Sequence, residues 1–123
     1  MVSDRVRAIK QAQRESFLLR EISSLYMRIM QDNPALQGVY ITNVILSPDG
    51  STATVYFHST QGAGHYEQIK DTLILYKPSI RTALAKASSS RYVPQLVFRY
   101  AEEVEKQQRV NELIDQLKKE GKL

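Results

Sequence analysis

Leu18, Ile22, Leu25 and Ile29 recur at spacings of four, three and four, which places them on one face of a helix. The pattern predicts a long helix over residues 4–31, capped by Asp4 or Ser3. It ends at Asp32-Asn33-Pro34, because proline disfavours helix for itself and for its predecessor. The period then changes. Val39 to Ser47 is rich in β-branched and aromatic residues. Thr52 to Ser59 alternates, with Ala53, Val55 and Phe57 on one side and Thr54, Tyr56 and His58 on the other. Ser47-Pro48-Asp49-Gly50 between them is turn sequence, so the two segments form a hairpin with one buried face.

Beyond the flexible link Gln61-Gly62-Ala63-Gly64, the residues Ile69, Leu73, Tyr76, Ile80, Leu84 and Ala87 hold one apolar stripe. Pro78 lies inside it and clashes with the carbonyl of Ile74, which predicts a kink or two helices meeting near Tyr76-Lys77-Pro78. Ser88-Ser89-Ser90 closes this segment as a plain loop. Pro94 opens a strand in which Leu96, Phe98 and Tyr100 alternate with Gln95, Val97 and Arg99. A last helix, about residues 102–119, carries Val110, Leu113, Ile114 and Leu117 and is expected to pack on the body of the protein. Its acidic start and basic end suit the helix dipole, and its mixed charges also suit a protein partner. The element order is α-β-β-α-(kink)-α-β-α. A strand, a helical crossover and a strand favour a right-handed βαβ unit. The expected fold class is α+β: one three-stranded sheet with helices on one face.

A chain of 123 residues is expected to form one domain over residues 1–123, its C-terminal helix lying at about 103–119. An apolar share of 42% and a charged share of 24% are those of a soluble globular protein. There are no internal repeats or low-complexity tracts. Cysteine is absent, so disulfides and thiol chemistry are excluded. No apolar run approaches the ~20 residues of a membrane span. The first sixteen residues lack the apolar centre of a secretory signal, which makes the cytoplasm the expected location.

Charge changes the picture by its distribution. The net charge is +4. Residues 1–31 carry six Lys or Arg against three Asp or Glu, and residues 70–99 carry six against one, Asp71. Residues 102–123 carry five against six. The positive charge therefore lies on two segments, and such asymmetry attracts polyanions. Catalysis finds no support. His58 and His65 are the only histidines, Asp49 and Asp71 stand alone, and no nucleophile–base set, metal-ligand spacing or phosphate-binding glycine loop occurs. The chain is not expected to be an enzyme, and no metal or cofactor is implied.

The segments LREISSLYMRIMQDNPAL, VYITNVILSPDGSTATVYF and IRTALAKASSSRYVPQLVFRYAEEVEKQQRVNELIDQL occur in the order found in bacterial ribosome-binding factor A, and the chain resembles that family over nearly its whole length. The resemblance implies a KH-like fold of type II topology, α-β-β-α-kink-α-β, with an added C-terminal helix and with the second strand central and parallel to the third. Most KH domains clamp RNA with a Gly-x-x-Gly loop between two helices. This chain has none, and the family likewise replaces the loop by a kink, usually Ala-x-Gly. Here the kink reads Tyr76-Lys77-Pro78. That departs from small residues, although Tyr76 also belongs to the apolar stripe and is expected to face inward.

The function the resemblance implies is binding to the small ribosomal subunit or its precursor through 16S ribosomal RNA, assisting assembly, maturation and rRNA processing as a cytoplasmic monomer. Lys70, Lys77, Arg81, Lys86 and Arg91 are the leading phosphate contacts, with Arg7, Lys10 and Arg14, which share one face of the first helix, as a second group. The bland reading of each is a solvated helix face. Tyr92 and Tyr100 read as core or rim aromatics in preference to base-stacking platforms. The alternative function is a KH-like protein-interaction module, its groove between the first and last helices, or a general binder of structured RNA.

Overall fold

The computed structural model describes residues 4–88 and 92–122. Helix α1 spans Asp4–Asp32, and strands β1 (Val39–Leu46) and β2 (Thr52–Ser59) form the hairpin. Helices α2 (Ala63–Ile74) and α3 (Lys77–Ala87) follow, then β3 (Gln95–Tyr100) and α4 (Glu102–Lys119). The sheet order is β1-β2-β3, with β1 and β2 antiparallel and β2 and β3 parallel. This is the α+β arrangement expected, with β2 central.

The alternation in β2 decides which face is covered. Ala53, Val55 and Phe57 are buried against Leu18 and Ile22 of α1, Tyr66, Ile69 and Leu73 of α2, and Ile80 and Leu84 of α3. Ala87, at the end of the predicted stripe, is exposed. Phe57 sits at the centre, edge-on to Tyr26 and Phe98 with ring centroids 5.4 and 5.1 Å away. Tyr26 was not singled out by the stripe, yet it is 4% exposed and donates its hydroxyl to the carbonyl of Val39 at 2.7 Å. Two polar side chains of α1 hold the far end of β1: Gln11 donates to the carbonyl of Leu46 at 2.8 Å, and the Glu15 carboxylate accepts from the Leu46 amide at 2.7 Å.

The turn Ser47-Pro48-Asp49-Gly50 closes as its residues demand. The Gly50 amide donates to the carbonyl of Ser47, and the Asp49 carboxylate accepts from the Ser51 amide and from the Ser47 and Ser51 hydroxyls. Those donors hold the Asp49 carboxyl down at about 2. Gly50 adopts φ +76°, and a Cβ there would also lie 3.0 Å from the terminal nitrogens of Arg14. The chain irregularity in β1 falls between Ile41 and Asn43, where Thr42 donates its hydroxyl to the carbonyl of Tyr56 at 3.2 Å.

Between α2 and α3 the chain makes two helices and not a continuous bent one. Pro78 stands in the first turn of α3, where its missing amide costs nothing. The Tyr76 amide donates to Leu73 and the Tyr76 carbonyl accepts from Ile80. The C-terminal helix departs from expectation. It meets β2 near His58 and Thr60, but no described residue of α4 is buried, and Val110, Leu113 and Ile114 are 49%, 57% and 37% exposed.

Candidate nucleic-acid interface

The predicted basic residues do not form one uniform face. Lys70 lies on α2 and pairs with Glu67 one turn earlier at 3.3 Å. Both side chains are solvated, so the pair contributes little. Lys77 starts α3 and folds over β3, with its ammonium 5.1 Å from the centroid of the Phe98 ring. Arg81, one turn on, is half-buried. It donates through Nε to the carbonyl of Pro94 and through Nη2 to the carbonyl of Val93, both at 3.2 Å. Two of its five donors therefore hold the backbone that leads into β3. Lys86 is exposed near the end of α3, beside a shallow depression that includes Ser79 and Thr82. Arg91 lies outside the described residues, as do Ser89 and Ser90.

Arg7, Lys10 and Arg14 are exposed along the first half of α1. Lys10 and Arg14 also line a cleft of ≈ 450 Å³ whose other walls are Leu84 of α3, Ser88 just beyond its end and the segment Tyr92-Val93-Pro94. Phe17 lines the same cleft. No carboxylate is among its described lining residues. Lys10 and Arg14 of α1 thus face α3 across this cleft through Leu84, while Lys77 and Lys86 lie elsewhere and Arg81 stands behind its 92–94 wall. Phe17 was overlooked in the sequence. The available signal is an aromatic residue one position off the buried stripe, three and seven residues after Arg14 and Lys10.

At the kink, Tyr76 is half-buried against the core and accepts from the Asn33 amide at 3.2 Å, so it faces inward as expected. Leu75 beside it is 77% exposed. Tyr100 packs against the core and against Tyr66, with centroids 5.4 Å apart, as a core or rim aromatic. Tyr92 is 57% exposed at the cleft rim. Both histidines have structural partners: His58 shares a hydrogen bond with the Tyr40 hydroxyl at 2.9 Å, and His65 one with the Ser59 hydroxyl at 2.7 Å. Among the described residues no group of three or more His, Cys, Asp or Glu could hold a metal ion, and no helix is long and apolar enough to cross a membrane.

A three-stranded sheet whose β2–β3 pair is parallel, and two helices meeting at a proline bend where other KH domains carry Gly-x-x-Gly, define a KH-like protein of the second topology without the clamp loop. The chain belongs to the ribosome-binding factor A family, whose family model matches residues 10–114. Ribosome-binding factor A of Aromatoleum aromaticum is 31% identical over 98 residues, which is 80% of this chain and 76% of that one. The same factor of Lactobacillus helveticus is 30% identical over 107 residues, 86% of this chain and 88% of that one. The crystal structure of ribosome-binding factor A from Thermus thermophilus shares the fold at a TM-score of 0.59, with 24% identity, covering 73% of this chain and 94% of that one.

Proposed function

We propose that this protein binds the small ribosomal subunit or its precursor through 16S ribosomal RNA, in the cytoplasm, and assists assembly and maturation of that subunit, including rRNA processing. The family match over residues 10–114 carries the reading. The arrangement of cations supports it. Lys10, Arg14 and Lys86 project from two helices on a folded scaffold, and cations so placed neutralise phosphates and release counterions. A rigid surface of this kind recognises folded RNA by shape and backbone and needs no cofactor or turnover. The protein acts as a monomeric binding factor and not as an enzyme.

Sedimentation with purified small subunits tests the reading. The wild-type chain is expected to travel with free small subunits and to leave them as salt rises. Lys10→Glu with Lys86→Glu is expected to abolish co-sedimentation while the fold persists, because both side chains are exposed. Arg81→Glu is unsuitable for this purpose, since it sets a carboxylate against two carbonyl oxygens. A second reading, a protein-interaction module, draws on the exposed apolar stripe of α4. Its mark is binding that hardly changes with salt and is lost on Leu113→Glu.

A further inference from the structure

The cleft opens between α1 and the C-terminal half of α3, and Leu84 is the α3 residue that lines it. The Tyr76-Lys77-Pro78 bend does not line it; Pro78 borders a neighbouring depression, with Tyr92 and Val93 forming the wall between the two. We infer that this cleft holds one unstacked nucleotide of single-stranded RNA, its base against Tyr92 and Phe17 and its phosphate on Lys10 and Arg14. The inference rests on the ribosomal-RNA reading and deepens it. That reading requires only phosphates, whereas this one requires a base turned out of its stack.

The occupant follows from what lines the cavity. Its floor is apolar: Leu18, Leu84 and Pro94 are all buried. Its volume of ≈ 450 Å³ falls within the ~300–1,000 Å³ of ligand clefts. A tyrosine that is 57% exposed at the rim supplies an aromatic face without moving out of the core. Bases stack on such faces regardless of sequence. The rim charge is positive with no opposing carboxylate, which suits a phosphate and gives an apolar peptide no reason for the cations. Gln13 adds an amide that can meet a base edge.

The walls are also held in place from outside the cleft. Arg81 fixes the Val93 and Pro94 carbonyls from the far side, and Tyr92 is the next residue along. Arg14 is set over the buried Gly50, where no side chain displaces it. Arg81 thus acts as a positioning residue for the aromatic wall.

Fluorescence anisotropy with a labelled single-stranded RNA of about six nucleotides tests this, beside a fully paired duplex and beside small-subunit sedimentation. Tyr92→Ala is expected to weaken hexamer binding roughly 5- to 100-fold, and Tyr92→Phe to retain it. Lys10→Ala is expected to reduce the salt slope by about 0.7, and Arg81→Ala to weaken binding with the slope unchanged. In the wild-type chain, amide NMR shifts on adding the hexamer should centre on Gln13, Ser88 and Tyr92. Equal hexamer affinity for the wild type and a folded Tyr92→Ala overturns the inference, as do shifts confined to other surfaces or tighter binding of the duplex. Small-subunit binding without hexamer binding rejects the cleft and leaves the ribosomal reading standing. Tyr92-dependent hexamer binding without small-subunit binding does the reverse.

Discussion

Asn33 donates its side-chain amide to the Tyr76 hydroxyl at 3.2 Å, joining the loop after α1 to the junction of α2 and α3. Tyr76 replaces the small residue that the family resemblance leads one to expect at the kink, and this contact shows where its bulk goes. The bend itself is enforced by Pro78. Tyr76→Phe should therefore cost about 1 kcal/mol and Tyr76→Ala about 2–3 kcal/mol in urea unfolding. Circular dichroism at low denaturant should stay unchanged, and both variants should still sediment with small subunits.

Arg81 and Lys86 lie in the same helix and are expected to respond in opposite ways. Arg81→Ala leaves the Val93 and Pro94 carbonyls without their donor and should lower stability by about 1–3 kcal/mol. Lys86→Ala should leave the melting temperature within about a degree, since exposed substitutions rarely exceed ±0.5 kcal/mol. It should weaken RNA binding and lower the salt slope by close to one contact. Thermal melts and titrations at several salt concentrations separate the two.

Tyr66 is 1% exposed, and its hydroxyl meets no hydrogen-bond partner among the described residues. Burial, with the Glu67 charge adding to it, pushes the phenol up to about 12 from 10.0. The neutral phenol is favoured in the fold, so its contribution is fully present below 10.0 and is lost as pH rises through about 12. Tyr66→Phe should stabilise by up to about 1–2 kcal/mol and move alkaline unfolding to higher pH. Denaturant melts across that alkaline range would read both effects.

Asp49 predicts the opposite limb. Its carboxyl is lowered from 3.8 to about 2 by the Ser51 amide and the Ser51 and Ser47 hydroxyls. The stability it brings to the hairpin turn is present above 3.8 and lost as pH falls through about 2. Asp49→Ala should melt earlier than the wild type at neutral pH, and the gap should close as the solution is acidified. A gap independent of pH would show that the carboxylate charge has no part in holding the turn.

Periodicity made the helices and strands legible because each buried stripe in this chain has a regular partner. Ala53, Val55 and Phe57 announce one covered face, and Ile69 to Leu84 announce what covers it. The same reasoning located α4 along the chain but not its packing. Spacing locates the apolar side of a helix at Val110, Leu113 and Ile114, but it does not say whether another surface lies against it. Arg81 was legible as a cation on α3, while its partners at Val93 and Pro94 depend on how β3 returns to the sheet. Tyr26 was missed because it sits beside the stripe and its burial depends on a carbonyl in the next element. The cleft was illegible for a similar reason: Lys10, Phe17, Leu84 and Tyr92 come from three separate segments.

The parallel pairing of β2 with β3 is also the sheet contact that spans the most chain. The β1–β2 hairpin closes across five residues, 47–51, whereas β3 pairs with β2 across all of α2 and α3. Contacts between distant residues form late, since the loop must be closed before they reward it. The Arg81 clasp and the Tyr92 wall depend on that long-range closure. On the proposed function, RNA binding therefore depends on the whole fold, since the hairpin alone assembles none of the cleft.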